Sequence, residues 1–170
     1  METYGKYLTS VDEQTDIKIA RWKIMVNGND IRNNSTTATT ITPYFIDNDN
    51  IEDNVIAPGA EGYFDLIIDG TGADVSFQYD INTSVSMDSS VRDIIITGYS
   101  TNDGEKINTT ENGISNIVPI TEKEKIITVR VYIKWDDSES STMSNEEDTL
   151  ATMSNGAKLD VSLSFKQVLV

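Results

Sequence analysis

The chain has no cysteine and no histidine. Without cysteine it can build neither a disulfide framework nor a thiol nucleophile. Without histidine it lacks zinc sites of the usual kind and any imidazole acid–base relay. Chemistry is left to carboxylates, hydroxyls, lysine and tyrosine. Basic residues are also scarce, 13 against 28 acidic, for a net charge of −15. Binding to phosphate backbones requires a basic footprint, so nucleic acid is not an expected partner, and an anionic membrane surface is disfavoured on the same ground. Cations and basic partners fit this charge better, and self-repulsion favours solubility. No apolar run approaches the length of a membrane span, and no signal-peptide pattern is visible. Met1-Glu2-Thr3-Tyr4 therefore reads either as a native start or as one that replaces a removed signal. No long helical period and no repeat of fixed length is found.

What is present is alternation. In Ile126–Trp135 the residues Ile127, Val129, Val131, Ile133 and Trp135 point one way, and Thr128, Arg130, Tyr132 and Lys134 the other. Period two in β-branched and aromatic types predicts a half-buried antiparallel strand. Similar patterns predict strands over Ile17–Val26 (Ala20, Trp22, Ile24 and Val26 on one face), Thr39–Ile46 with Pro43 inside it, and Gly62–Asp69. Val75–Ile81, Val91–Thr97 and Lys158–Gln167 follow suit. Gly70-Thr71-Gly72 predicts a tight hairpin between the strands on either side of it. The run Ile94-Ile95-Ile96 predicts a strand covered on both faces. Residues 105–121 leave room for one or two short strands. Ser144 and Glu147 have capping-box spacing, so a short helix is expected near 144–154, with Leu150 and Met153 as its apolar pair and Gly156 at its C-terminal end.

A chain of 170 residues suits one domain. Roughly seven or eight strands separated by turns argue an all-β, two-sheet antiparallel sandwich, jelly-roll-like in its wiring. The expected division is an arm over residues 1–16 and one sandwich over residues 17–170.

Candidate chemistry is thin. Asp47, Asp49, Glu52 and Asp53 form an acidic loop that could offer oxygen ligands to calcium. The loop lacks the glycine and terminal glutamate of an EF-hand, so a solvated loop with no cofactor is the preferred reading. Carboxylate pairs for glycoside hydrolysis are always available in an acidic chain, but nothing marks two of them. No G-x-S-x-G elbow occurs. Sequons at Asn34, Asn82 and Asn108 are expected by chance in a chain this rich in Asn, Ser and Thr. Trp22 and Trp135 fall on the apolar side of their strands and predict core rather than sugar platforms.

The arm suggests more. Tyr4, Tyr7, Leu8 and Val11 are its apolar residues in an otherwise polar, strand-compatible stretch. Such an arm can be donated to the open sheet edge of a neighbour, which takes it as an extra strand. Head-to-tail donation does not close on itself and gives fibres. A frayed terminus is the plain alternative.

Several stretches together resemble one family. They are Tyr4-Gly-Lys-Tyr7-Leu-Thr-Ser, then Ala20-Arg21-Trp22-Lys23-Ile24 leading into Val26-Asn-Gly, then Ala57-Pro58-Gly59-x-x-Gly62-x-Phe64, and last Trp135 with Asn145-Glu-Glu-Asp148-Thr149 before the closing strand. In this order they resemble the secreted biofilm-matrix fibre proteins that include TasA and camelysin (CalY), which are processed by a dedicated signal peptidase. The resemblance implies a jelly-roll subunit, secreted after signal removal, that polymerises by donating its N-terminal strand to the next subunit. It makes Met1 an added start and the chain itself the main partner, with other matrix components as further partners. It also carries the label of metallopeptidase, which a chain with no histidine and no H-E-x-x-H motif does not support. A secreted adhesin or carbohydrate-binding sandwich is the alternative, and exposed Trp or Tyr on one sheet face would favour it.

Overall fold

In the computed structural model, described over residues 17–32, 43–46, 49–52, 55–153 and 156–169, the alternating stretch near 130 is the middle of a sheet. It forms strand β9, Ile126–Trp135. Ile127, Val129, Val131, Ile133 and Trp135 are buried, and Thr128, Arg130, Tyr132 and Lys134 are half-covered on the outer face. Strand β4, Glu61–Ala73, pairs with one side of β9 from Glu61↔Lys134 to Asp69↔Ile126. Strand β6, Ile94–Thr101, pairs with the other side. Strands β1 (Trp22–Val26) and β3 (Tyr44–Phe45) share the far edge of β4. Short β2 (Asn29–Asp30) flanks β1, and β7 (Ile107–Asn108) flanks β6.

The second sheet has three strands among the described residues. Its middle is β5, Phe77–Val85, between β10, Leu159–Gln167, and β8, Gly113–Val118. All pairings in both sheets are antiparallel. The sheets close on one core, in which Phe64, Leu66 and Ile68 of β4 and the inner face of β9 meet Phe77, Tyr79 and Ile81 of β5. Burying a side chain of this size contributes ~1.5–3 kcal/mol, so the core outweighs any surface term. The described residues thus form an all-β sandwich with one short helix, α1, Asn145–Ala151. No helix among the described residues is long and apolar enough to cross a membrane.

The register defines two ends. At the arm end β1 begins, β4 hands over to β5, and β10 finishes. Here Arg21, Ile120 and Val168 gather on the β4–β5 turn through bonds to Asp74 and Ser76. At the loop end β4 begins, and the connections carrying Pro58, Met87 and α1 collect.

Several expectations are corrected. The first strand begins at Trp22 rather than Ile17, because Ile17, Lys18, Ile19 and Ala20 stand exposed outside the ladder. Gly70-Thr71-Gly72 is not a turn. It lies inside β4, where a Cβ at Gly70 would stand 2.6 Å from the Phe77 ring and one at Gly72 2.7 Å from the Lys23 carbonyl. These glycines allow close approach. The expected hairpin is not one either, since β4 and β5 belong to different sheets. The isoleucine run is covered on one face only, with Ile94 and Ile96 buried and Ile95 exposed. Leu150 and Met153 face outward, and α1 buries Asp148 and Ala151 instead. Its capping box is as expected, but it ends at Thr152, short of Gly156.

Candidate functional site

Strand β10 alternates Leu159, Val161, Leu163 and Phe165 with Asp160, Ser162, Ser164 and Lys166. It is paired with β5 along its whole length, from Leu159↔Val85 to Gln167↔Phe77. On its other side no strand is paired among the described residues. Beyond this edge, part of the larger sheet's inner face has no strand opposite it among the described residues. The result is an apolar groove of about 530 Å³. Its walls are Leu159, Val161 and Leu163 of β10 and, across from them, Val26, Phe45, Phe64, Leu66, Ile94 and Ile133. Most of these belong to the loop-end half of their strands, so the groove lies toward that end. A strand laid beside β10 would complete its main-chain bonding and direct every second side chain into the groove.

The other edge of the small sheet, beside β8, also lacks a partner among the described residues but differs in character. Beside β8 lies a polar recess of about 220 Å³, lined by Asn102, Asn116, Glu122 and Glu124 around Tyr79. The Tyr79 hydroxyl is buried beside Asn116, and burial raises its pKa. This recess suits water or a small polar group better than a row of apolar side chains.

The loop end is braced from within. Ala57-Pro58-Gly59-Ala60 closes a tight turn, with the Ala60 amide donating to the Ala57 carbonyl at 2.8 Å. Gly59 has φ +81°, the left-handed value that the third position of this turn demands. The turn is sewn to β9, because the Gly59 amide donates to the Trp135 carbonyl and the Trp135 amide to the Ala60 carbonyl, both at 3.0 Å. Buried Asp93 accepts from the Thr142 amide at 2.9 Å, the Thr142 hydroxyl at 2.7 Å and the Met143 amide at 2.7 Å. That carboxylate fixes the approach to α1, whose Ser144 and Glu147 form the capping box.

Tyr4, Tyr7, Leu8 and Val11 of the arm lie outside the described residues, as do Asp47 and Asp53 of the acidic loop. Asp49 and Glu52 are exposed. No group of three metal-capable side chains occurs among the described residues. Trp135 and Phe64 are core, at 2% exposure each. Trp22 is half-buried, edge-on to Phe77 at 6.4 Å. Ala20 is exposed, and Pro58 and Gly59 sit in the turn above. The motif residues Trp135, Pro58 and Gly59, far apart in sequence, therefore meet at the loop end. The β10 edge has little to mark it in the sequence. Its one signal was the amphipathic alternation of β10, which many paired strands share.

Tyrosines also line the outer face of the larger sheet. Tyr44, Tyr63 and Tyr132 lie in one row across β3, β4 and β9. Tyr44 stacks on Tyr63 at 5.5 Å and 25°, and Tyr63 tilts against Tyr132 at 6.1 Å. Arg130 lies over Tyr63 at 4.1 Å and Lys106 over Tyr132 at 4.8 Å. The ring faces a sugar would stack on are thus largely occupied by the protein's own groups.

Comparison with protein-family models, curated proteins and solved structures finds no match.

Proposed function

We propose that the chain is the structural subunit of an extracellular filament or biofilm matrix, polymerising by strand donation from its N-terminal arm to the β10 edge of the next copy. The observation that carries this reading is the outer edge of β10, which pairs with no strand among the described residues and borders an apolar groove wide enough for one more strand. An edge of this length left open would be an aggregation liability. The geometry favours a neighbour as the occupant. The chain enters β1 from the arm end, with Ile17 and Ile19 exposed at 84% and 89%, while the groove lies toward the loop end. Repeating that offset gives a head-to-tail polymer. The family resemblance adds the secreted location and the matrix setting. Its motif residues Arg21, Pro58, Gly59 and Trp135 sit at the two ends that such a polymer would bring together.

The test removes residues 1–12. The expected product keeps its β-sheet circular dichroism and cooperative melt, and forms no filaments under negative stain. Filaments of unchanged length from the truncated protein would overturn the proposal. The rival reading, a carbohydrate-binding module, has the tyrosine row in its favour and the occupied ring faces against it. Quenching of tyrosine fluorescence by a glycan panel would decide for it.

A further inference from the structure

An asparagine or aspartate followed by glycine is a reactive step in any chain. The glycine nitrogen can attack the preceding side-chain carbonyl carbon, because no Cβ shields it. Reaction requires that nitrogen to be free and the side chain to be loose enough to meet it. The steps Asn27-Gly28, Asp69-Gly70, Asp103-Gly104 and Asn112-Gly113 lie within the described residues. Asn155 precedes Gly156 but lies outside them. Three of the four are held. Gly70 donates its amide to the Lys125 carbonyl at 2.8 Å, and Gly104 donates to the Thr101 carbonyl at 2.9 Å. Asn27 accepts the Ile67 amide on its own Oδ1 at 2.8 Å, and its amide donates to the Ile67 carbonyl at 2.9 Å, so its side chain is pinned to β4.

Asn112-Gly113 is not held. Gly113 opens β8 opposite Asn82 of β5. The Asn112 carbonyl accepts from the Thr83 amide at 2.9 Å, which makes Thr83 and Asn112 a hydrogen-bonded pair. In an antiparallel ladder the next residue turns its amide the other way. The Gly113 N–H therefore points to the outer edge of β8, where no strand pairs among the described residues. Asn112 and Gly113 are both exposed, and the Asn112 side chain makes no hydrogen bond among the described residues.

We propose that Asn112 is a site of spontaneous modification in the folded protein, deamidating to aspartate and isoaspartate while Asn27 is protected. The Gly113 nitrogen gives up its proton and bonds to Asn112 Cγ. The Cγ–Nδ2 bond breaks, and ammonia leaves with that proton. The cyclic imide then takes up water and opens at either carbonyl. One opening gives aspartate. The other gives isoaspartate, which routes the main chain through Cβ and turns the carbonyl that Thr83 holds into a free carboxylate. Both products add a negative charge. Thr83 is buried, and its hydroxyl also donates to that carbonyl at 3.3 Å. The start of β8 therefore loosens from β5 as the protein ages.

Peptide mapping by mass spectrometry tests this, on the full chain aged in mildly alkaline buffer beside a sample aged in urea. In the folded sample Asn112 should convert about tenfold faster than Asn27, whose reaction waits for local opening at β4. In urea the two should convert at similar rates. Asn27 keeping pace in the folded sample, an intact Asn112 there, or the same disparity persisting in urea would each overturn the proposal. Gly113→Ala places a Cβ 3.1 Å from Asn82 Oδ1, the end of a side chain that can swing aside. This variant should stay folded and convert at Asn112 about tenfold more slowly, since the added Cβ screens the nitrogen. An unchanged rate would rule out attack by Gly113. Once Asn112 has converted, the Thr83 amide should exchange faster than in the fresh protein, and unaltered exchange would overturn the loosening of β8.

Discussion

Arg21 and Asp74 show how one side-chain pair secures the start of the sandwich. The guanidinium donates to both carboxylate oxygens at 2.8–3.1 Å, and the Arg21 amide donates to the same carboxylate at 2.9 Å. Side-chain hydrogen bonding from Arg21 holds the Asp74 carboxyl well below the usual carboxylate range. A carboxyl depressed in the folded state contributes stability above its unfolded value of ~3.9, and the contribution fades as pH falls through that value toward the folded one. Asp74→Asn should therefore melt below the parent at neutral pH, with the gap narrowing steadily as pH falls below ~3.9 toward the depressed folded value. Both groups are exposed, so the difference should be small and weakened by salt. Arg130 is held more deeply, forked onto Asp65 at 2.8 and 2.9 Å beneath Tyr63. Arg130→Met is expected to lower the urea midpoint by the equivalent of about 1–2 kcal/mol, and Arg130→Lys to recover only part of it, because an ammonium cannot fork.

At the level of elements, glycines mark where strands crowd each other. A Cβ on Gly62 would stand 2.6 Å from the Tyr44 carbonyl and 2.9 Å from the Phe45 ring. Gly62→Ala should push β3 away from β4 at a cost of about 1–3 kcal/mol and disturb the groove wall that Phe45 forms. Hydrogen exchange would show it as faster loss of the Ile46 amide, which bonds the Glu61 carbonyl, with Ile133 unchanged. The same glycines explain what the sequence made legible and what it did not. Alternation in β9 and β5 reports one buried face directly, so strands and inner residues could be read. Gly70 and Gly72 read as a turn because a glycine for close packing and one for positive φ look alike in one dimension. Leu150 and Met153 read as the buried side of α1 because helical spacing pairs them, whereas the anchor is Asp148 with Ala151. The groove was invisible for a different reason. An unpaired edge depends on which strands share a sheet, and no local pattern in β10 states that β5 is its sole partner among the described residues.

At the scale of the molecule, the described residues form unequal layers, a broad sheet over a narrow one, with an apolar groove between them on the β10 side. Leu163→Lys would place a charge in that space while changing little else, since β10 keeps its ladder with β5. The expected result is a folded monomer that neither elongates nor accepts an arm, yet still donates its own and so caps filaments of the unmodified chain. Shorter filaments in mixed samples would show the capping, and unchanged length distributions would speak against it. The absence of cysteine makes the most direct measurement possible, because an introduced pair has no competitor. One population carries Gly5→Cys or Thr9→Cys in the arm, and the other carries Ser162→Cys or Ser164→Cys on the outward side of β10. Mixed under mild oxidation, they should form a covalent dimer between copies at one of these registers and none within either population alone. No intermolecular bond at any register, or a bond that forms only within a single chain at high dilution when both cysteines are placed on it, would contradict the donated strand.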